Sequence, residues 1–128
     1  EGRLRQEAYA AGGPAMRGIR REAMFFRPSG LSPDGERGES QHDAEVRMRG
    51  WVEELQAAQT APQTVAVFSH GVAIRSFVRG VLGADTRFTT HSETANCSIT
   101  VLEYRPCDAP AHPADLGGWV LKCLNDQA

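Results

Sequence analysis

No stretch of this chain is apolar for anything near the ~18 residues that a helix needs to cross a bilayer. A membrane partner is therefore not expected. A basic excess is also missing, since 14 lysines and arginines against 16 aspartates and glutamates leave a formal charge of −2. That balance argues against nucleic acid as the main partner. Cysteine is scarce: Cys97, Cys107 and Cys123 form an odd set of three without C-x-x-C spacing. Reduced thiols are expected rather than a disulfide framework or a zinc site. There is no internal repeat and no low-complexity tract. Even an initiator methionine is lacking, because the chain opens at Glu1 and runs straight into "EGRLRQEAY". It reads as a piece of something longer.

What remains fits one globular domain over residues 1–128, with 41% hydrophobic content to fill a core. The near-neutral charge suits a cytoplasmic protein that handles small molecules. The first third is polar and rich in arginine and glycine. Residues 14–26 are expected as a short helix with Pro14 in its first turn. Residues 27–38, "RPSGLSPDGERG", are loop by composition, and 10–37 together read as a cap or loop region. Ser40 and Asp43 then have capping-box spacing, a hydroxyl followed three residues later by a carboxylate. Behind them Ala44, Met48, Trp51, Val52 and Leu55 recur at helical spacing, with Trp51 expected in the core. His42 is expected to face solvent.

The densest information lies in "TVAVFSHGVAIRSFVRGVLG", residues 64–83. Residues 64–69 have the composition of a strand buried on both faces of a parallel sheet. After Gly71, the residues Ile74, Phe77, Val78, Val81 and Leu82 mark a helix, Arg75 and Arg79 lie on another face, and Gly83 suits the C-terminal cap. "SITVLEYR" (98–105) and "WVLKCLN" (119–125) are two further strands, expected as an antiparallel hairpin at the sheet edge. Arg17, Arg20 and Arg21 form a basic run whose ordinary role is a solvated face.

His70 and Gly71 sit at the seam between strand and helix. In open α/β sheets ligands bind beyond the C-terminal ends of strands. The N-terminus of the next helix offers unpaired N–H groups and positive potential to a phosphate, and an imidazole beside it can steady phosphoryl charge. A turn histidine that merely caps the helix satisfies the same residues, and the pattern alone leaves both open. Ser69 raises a serine-hydrolase alternative, yet Val67 stands where a nucleophile elbow needs its first glycine.

Three blocks together resemble the histidine phosphatase superfamily, in its phosphoglycerate mutase-like branch. "VAVFSHGVAIRSFVRGVLG" resembles the second-histidine block of that family. "GESQHDAEVR" (38–47) resembles its loop-into-helix block, and "ANCSITVLEY" with "GGWVLKCLND" resembles its closing strands. The likeness covers most of 38–126 and, more loosely, 3–9. It implies a three-layer α/β/α fold with a mostly parallel sheet and antiparallel edge strands, here incomplete at the N-terminus. It also implies phosphomonoester hydrolysis, or mutase-type phosphotransfer, through a phosphohistidine, with no metal or other cofactor and a small phosphorylated molecule as partner.

Residue by residue, the resemblance makes His70 the second histidine and Gly71 a phosphate-binding amide. In "RLRQEAYA" (3–10), Gln6 occupies the position of the proton-donating glutamate, and Glu7 is the neighbouring candidate. Arg17, Arg20 and Arg21 fall in the region that covers the site and so become candidates for contact with an anionic substrate. No Arg-His-Gly occurs in the sequence, so the nucleophilic histidine is missing and the fragment is expected to be inactive. Gln6 opens a second expectation: a degenerate domain that binds a phosphorylated ligand or partner without turning it over.

Overall fold

The computed structural model describes residues 24, 25, 27, 38–106 and 118–127. Two compact units divide the chain, Glu1–Ala44 and Glu45–Ala128. The expected helix at 14–26 and the 10–37 region lie almost wholly outside the described residues.

The first unit shows how the first described helix, α1 (Gln41–Ala58), begins. Ser40 Oγ accepts a hydrogen bond from the Asp43 N–H at 3.1 Å. In return, the Asp43 carboxylate accepts from the Ser40 N–H at 2.8 Å and from its hydroxyl at 2.6 Å. The capping box read from the sequence is present, and it satisfies donors that the first turn leaves open. Those bonds from Ser40, joined by Arg27 at 2.6 Å, hold the Asp43 carboxyl below its ordinary range. His42 departs from expectation. It is half-buried, its ring centroid lies 5.3 Å from that of Phe25, and its Nδ1 is buried without a hydrogen-bond partner.

In the second unit a segment without regular secondary structure follows α1 and leads to α2 (Gly71–Leu82). Gly83 closes α2 in the left-handed conformation at φ 61°, as its position suggested. A short helix α3 (Phe88–His91) precedes the strands β1 (Ile99–Arg105) and β2 (Gly118–Asp126). These pair antiparallel, with Arg105 opposite Gly118 and Ile99 opposite Asp126. That is the expected hairpin arrangement.

The core of this unit forms around α2. Phe77 and Val78 are buried, and Phe77 meets Trp119 edge-on at 5.7 Å, while Tyr104 leans on the same indole at 5.3 Å. Trp119 is thereby a packing residue. Arg79 is only 2% exposed, and its Nη2 donates to Glu45 Oε2 at 2.5 Å. Gly80 makes room for that carboxylate: a Cβ there would overlap Glu45 Oε1 and Cδ and stand 2.6 Å from Cγ.

Two further expectations fail. Trp51 is 43% exposed rather than in the core. Residues 64–69 do not form a strand, and Val67 is 52% and Phe68 97% exposed. The physical reason is that a strand exists through its ladder. Among the described residues none from 61 to 69 makes a backbone hydrogen bond, and the sheet is the two-stranded antiparallel one alone. High β propensity by itself does not make a strand.

Candidate functional site

The seam at His70 is built by the backbone. His70 is extended (φ −94°, ψ 149°) and its carbonyl accepts the first α2 hydrogen bond, from the Ile74 N–H at 3.0 Å. Its imidazole makes no capping bond and is exposed. A histidine spent on capping the helix is thus excluded. The ring stands uncommitted at the positive end of a 12-residue helix.

Gly71 is glycine because of what lies against it. A Cβ at this position would stand 2.5 Å from Thr94 Oγ1 and 3.5 Å from the Thr94 carbonyl oxygen. The 92–95 loop is held in this place from two sides. Arg75 donates from Nη1 to Thr94 Oγ1 at 2.7 Å and from Nε to the Thr89 carbonyl at 2.9 Å. From β2, the Asn125 side chain accepts the Ala95 N–H at 2.6 Å. Asn125 adopts φ 62°, a left-handed conformation that asparagine tolerates better than most residues. Thr89 is itself buried, and its hydroxyl accepts from Arg79 Nη1 at 3.2 Å.

The remaining candidates divide cleanly. Gln6, Glu7, Arg17, Arg20 and Arg21 lie outside the described residues. Ser69 is exposed on the segment before α2. A hydrolase built on Ser69 needs a histidine partner from His91 or His112: His91 turns Nδ1 to the Arg87 carbonyl at 2.9 Å within its own short helix, and His112 is not among the described residues. Asp85 has its carboxyl lowered by hydrogen bonds from Arg87, so it serves that local turn. Two clefts of about 300 and 260 Å³ are lined by neither His70 nor Gly71. Among the described residues no cluster of three or more metal-ligating side chains occurs, and no helix is long and apolar enough to cross a membrane.

Sequence reasoning missed Thr94, Asn125 and the anchoring role of Arg75. The last was open to view: Arg75 lies four residues after Gly71, on the same helical face, and helical side chains lean toward the N-terminus. The Glu45–Arg79 pair spans 34 positions and carries no local signal.

A family model described as "Histidine phosphatase superfamily (branch 1)" matches residues 8–112. The match includes His70, Gly71, Arg17, Arg20 and Arg21; it stops short of Gln6 and Glu7 at one end and of β2 at the other. Comparison with curated proteins returns no significant match, and comparison with solved structures returns none.

Proposed function

This chain belongs to the histidine phosphatase superfamily, branch 1, and from that premise we propose that it is the C-terminal portion of a phosphomonoesterase that works through a phosphohistidine without a metal. The observation that carries this reading is the imidazole of His70, exposed and free of any capping duty at the start of α2. The complete domain has a three-layer α/β/α fold. The substrate is a small phosphorylated molecule and the compartment is the cytoplasm.

The roles follow from charge. A nucleophilic histidine, absent from these 128 residues because they hold no Arg-His-Gly, attacks phosphorus as the P–O bond to the leaving group breaks. Gln6 or Glu7 lies at the leaving oxygen. Only the glutamate can deliver a proton there; the glutamine can do no more than hydrogen-bond. His70 and the Gly71 N–H face the phosphoryl oxygens and steady their negative charge in the transition state. Arg17, Arg20 and Arg21 meet the anionic remainder of the substrate. Water then attacks the phosphohistidine, which releases inorganic phosphate and the free imidazole.

Gln6 favours one second reading, a degenerate domain that binds a phosphorylated ligand without turnover. Both are tested on protein expressed from the complete coding sequence, with p-nitrophenyl phosphate as substrate. The enzyme reading expects turnover, an acid-labile phosphoenzyme, and a loss of about 100-fold or more on His70→Ala. The 128-residue chain alone is expected to be inert. Hydrolysis by that chain, or full activity in His70→Ala, refutes the assignment; phosphate binding without turnover selects the degenerate reading.

A further inference from the structure

Arg75 is electrostatically out of place. Arg27, Arg49, Arg79, Arg87 and Arg105 each have a carboxylate within 4.0 Å. Arg75 is half-buried, and among the described residues no such ion pair includes it. Its guanidinium is instead drawn back along α2, with Nη1 only 3.3 Å from where a Gly71 Cβ would stand. A permanent cation is thereby held near the helix end that already carries positive potential. Like charges gathered in this way are unfavourable in the empty molecule and become favourable once an anion arrives.

The anchoring makes the position a fixed one. Nε is committed to the Thr89 carbonyl and Nη1 to Thr94 Oγ1, at 2.9 and 2.7 Å. These bonds fix the plane of the guanidinium and leave Nη2 uncommitted. Thr94, as the acceptor of the Nη1 bond, keeps its own hydroxyl hydrogen to donate.

We propose that Arg75 supplies a fixed positive charge and an Nη2 hydrogen bond to a phosphoryl group bound at His70 and the Gly71 N–H, with Thr89 and Thr94 as its positioning residues. The inference rests on the phosphate-binding reading of His70 and adds a cation from α2 itself.

The test is a titration of the isotope-labelled 128-residue chain with inorganic phosphate, followed by NMR at the Gly71 amide and the His70 ring. Wild type is expected to give saturable shifts that weaken with added sodium chloride. Arg75→Gln should raise the dissociation constant about 5- to 10-fold, the scale of one unit charge ~4 Å away in water-like surroundings. Arg75→Lys, which keeps the charge, should stay within about threefold of wild type. Thr94→Val should weaken binding about threefold and Thr94→Ser restore it, on the scale of one modest hydrogen bond. That pair decides the matter if Arg75→Gln does not fold. Equal binding by wild type and Arg75→Gln overturns this inference alone, as does a lysine variant no better than the glutamine. Absence of any saturable shift in wild type overturns the phosphate reading of His70, and the role of Arg75 falls with it.

Discussion

Gly80→Ala inverts an ordinary expectation. In a helix interior, replacing glycine by alanine gains about 1 kcal/mol, because the unfolded chain loses freedom and the helix loses nothing. Here the new methyl would overlap Glu45 Oε1 and Cδ and stand 2.6 Å from Cγ. Glu45 cannot yield without giving up Arg79, whose Nη2 lies 2.5 Å from it and whose side chain is 2% exposed. Breaking a buried pair from one side costs about 3–5 kcal/mol. The net is a loss of about 2–4 kcal/mol, read as a fall of the melting temperature on the order of 10 °C for a chain of this size. Urea denaturation of four proteins checks it: wild type, Gly80→Ala, Glu45→Ala and the double variant. In the Glu45→Ala background the alanine at 80 meets no carboxylate, so it should be neutral or mildly stabilising. An equal loss from Gly80→Ala in both backgrounds would refute the reasoning, because the damage would then not pass through Glu45.

Ser40→Ala removes the hydroxyl that caps α1 and should cost about 1 kcal/mol by denaturant titration, with helicity lost at the α1 end. The same corner is acid-sensitive. Since Asp43 titrates below its ordinary value of 3.8 in the folded chain, its contribution is complete above that pH and is lost as pH falls through the lower folded value. Asp43→Asn should flatten the acid limb of the stability profile and leave the neutral region with no such slope. Phe68→Ser, at a side chain 97% exposed, should change stability by less than about 0.5 kcal/mol. It should also reduce self-association of the 128-residue chain in light scattering, because exposed uncharged β-prone segments are aggregation sites.

What the sequence disclosed was local. The Ser40–Asp43 reciprocity, the apolar spacing from Ile74 to Leu82, and Gly83 as a left-handed cap each depend on residues within a turn or two of one another. The order of the three family blocks is equally linear, and it carried the family assignment. Contacts between distant residues were not legible. The composition of residues 64–69 states a preference for extended backbone, and whether a ladder forms depends on a neighbour that composition does not name. Trp51 falls on the apolar stripe of α1, yet burial requires something packed over it. Of the site, His70 and Gly71 were visible as a seam; the Thr94 hydroxyl against Gly71 and the Asn125 amide reaching Ala95 arise from chain reversal through α3 and the β pair. Arg75 was legible only as lying off the apolar face, because helical periodicity does not say when a long side chain will fold back.

The bare segment between α1 and α2 also bears on how the chain meets proteases. A protease needs accessible backbone outside regular secondary structure, and residues 61–70 offer a stretch in which every position is exposed, with the aromatic Phe68 near its end. A cut after Phe68 would separate the two helices covalently. It would not at once release them, because Glu45 and Arg79 lie on opposite sides of the break and still grip each other. The nicked chain would therefore persist as a noncovalent pair, and the same bond that makes Gly80 indispensable would delay the loss of the half that carries His70.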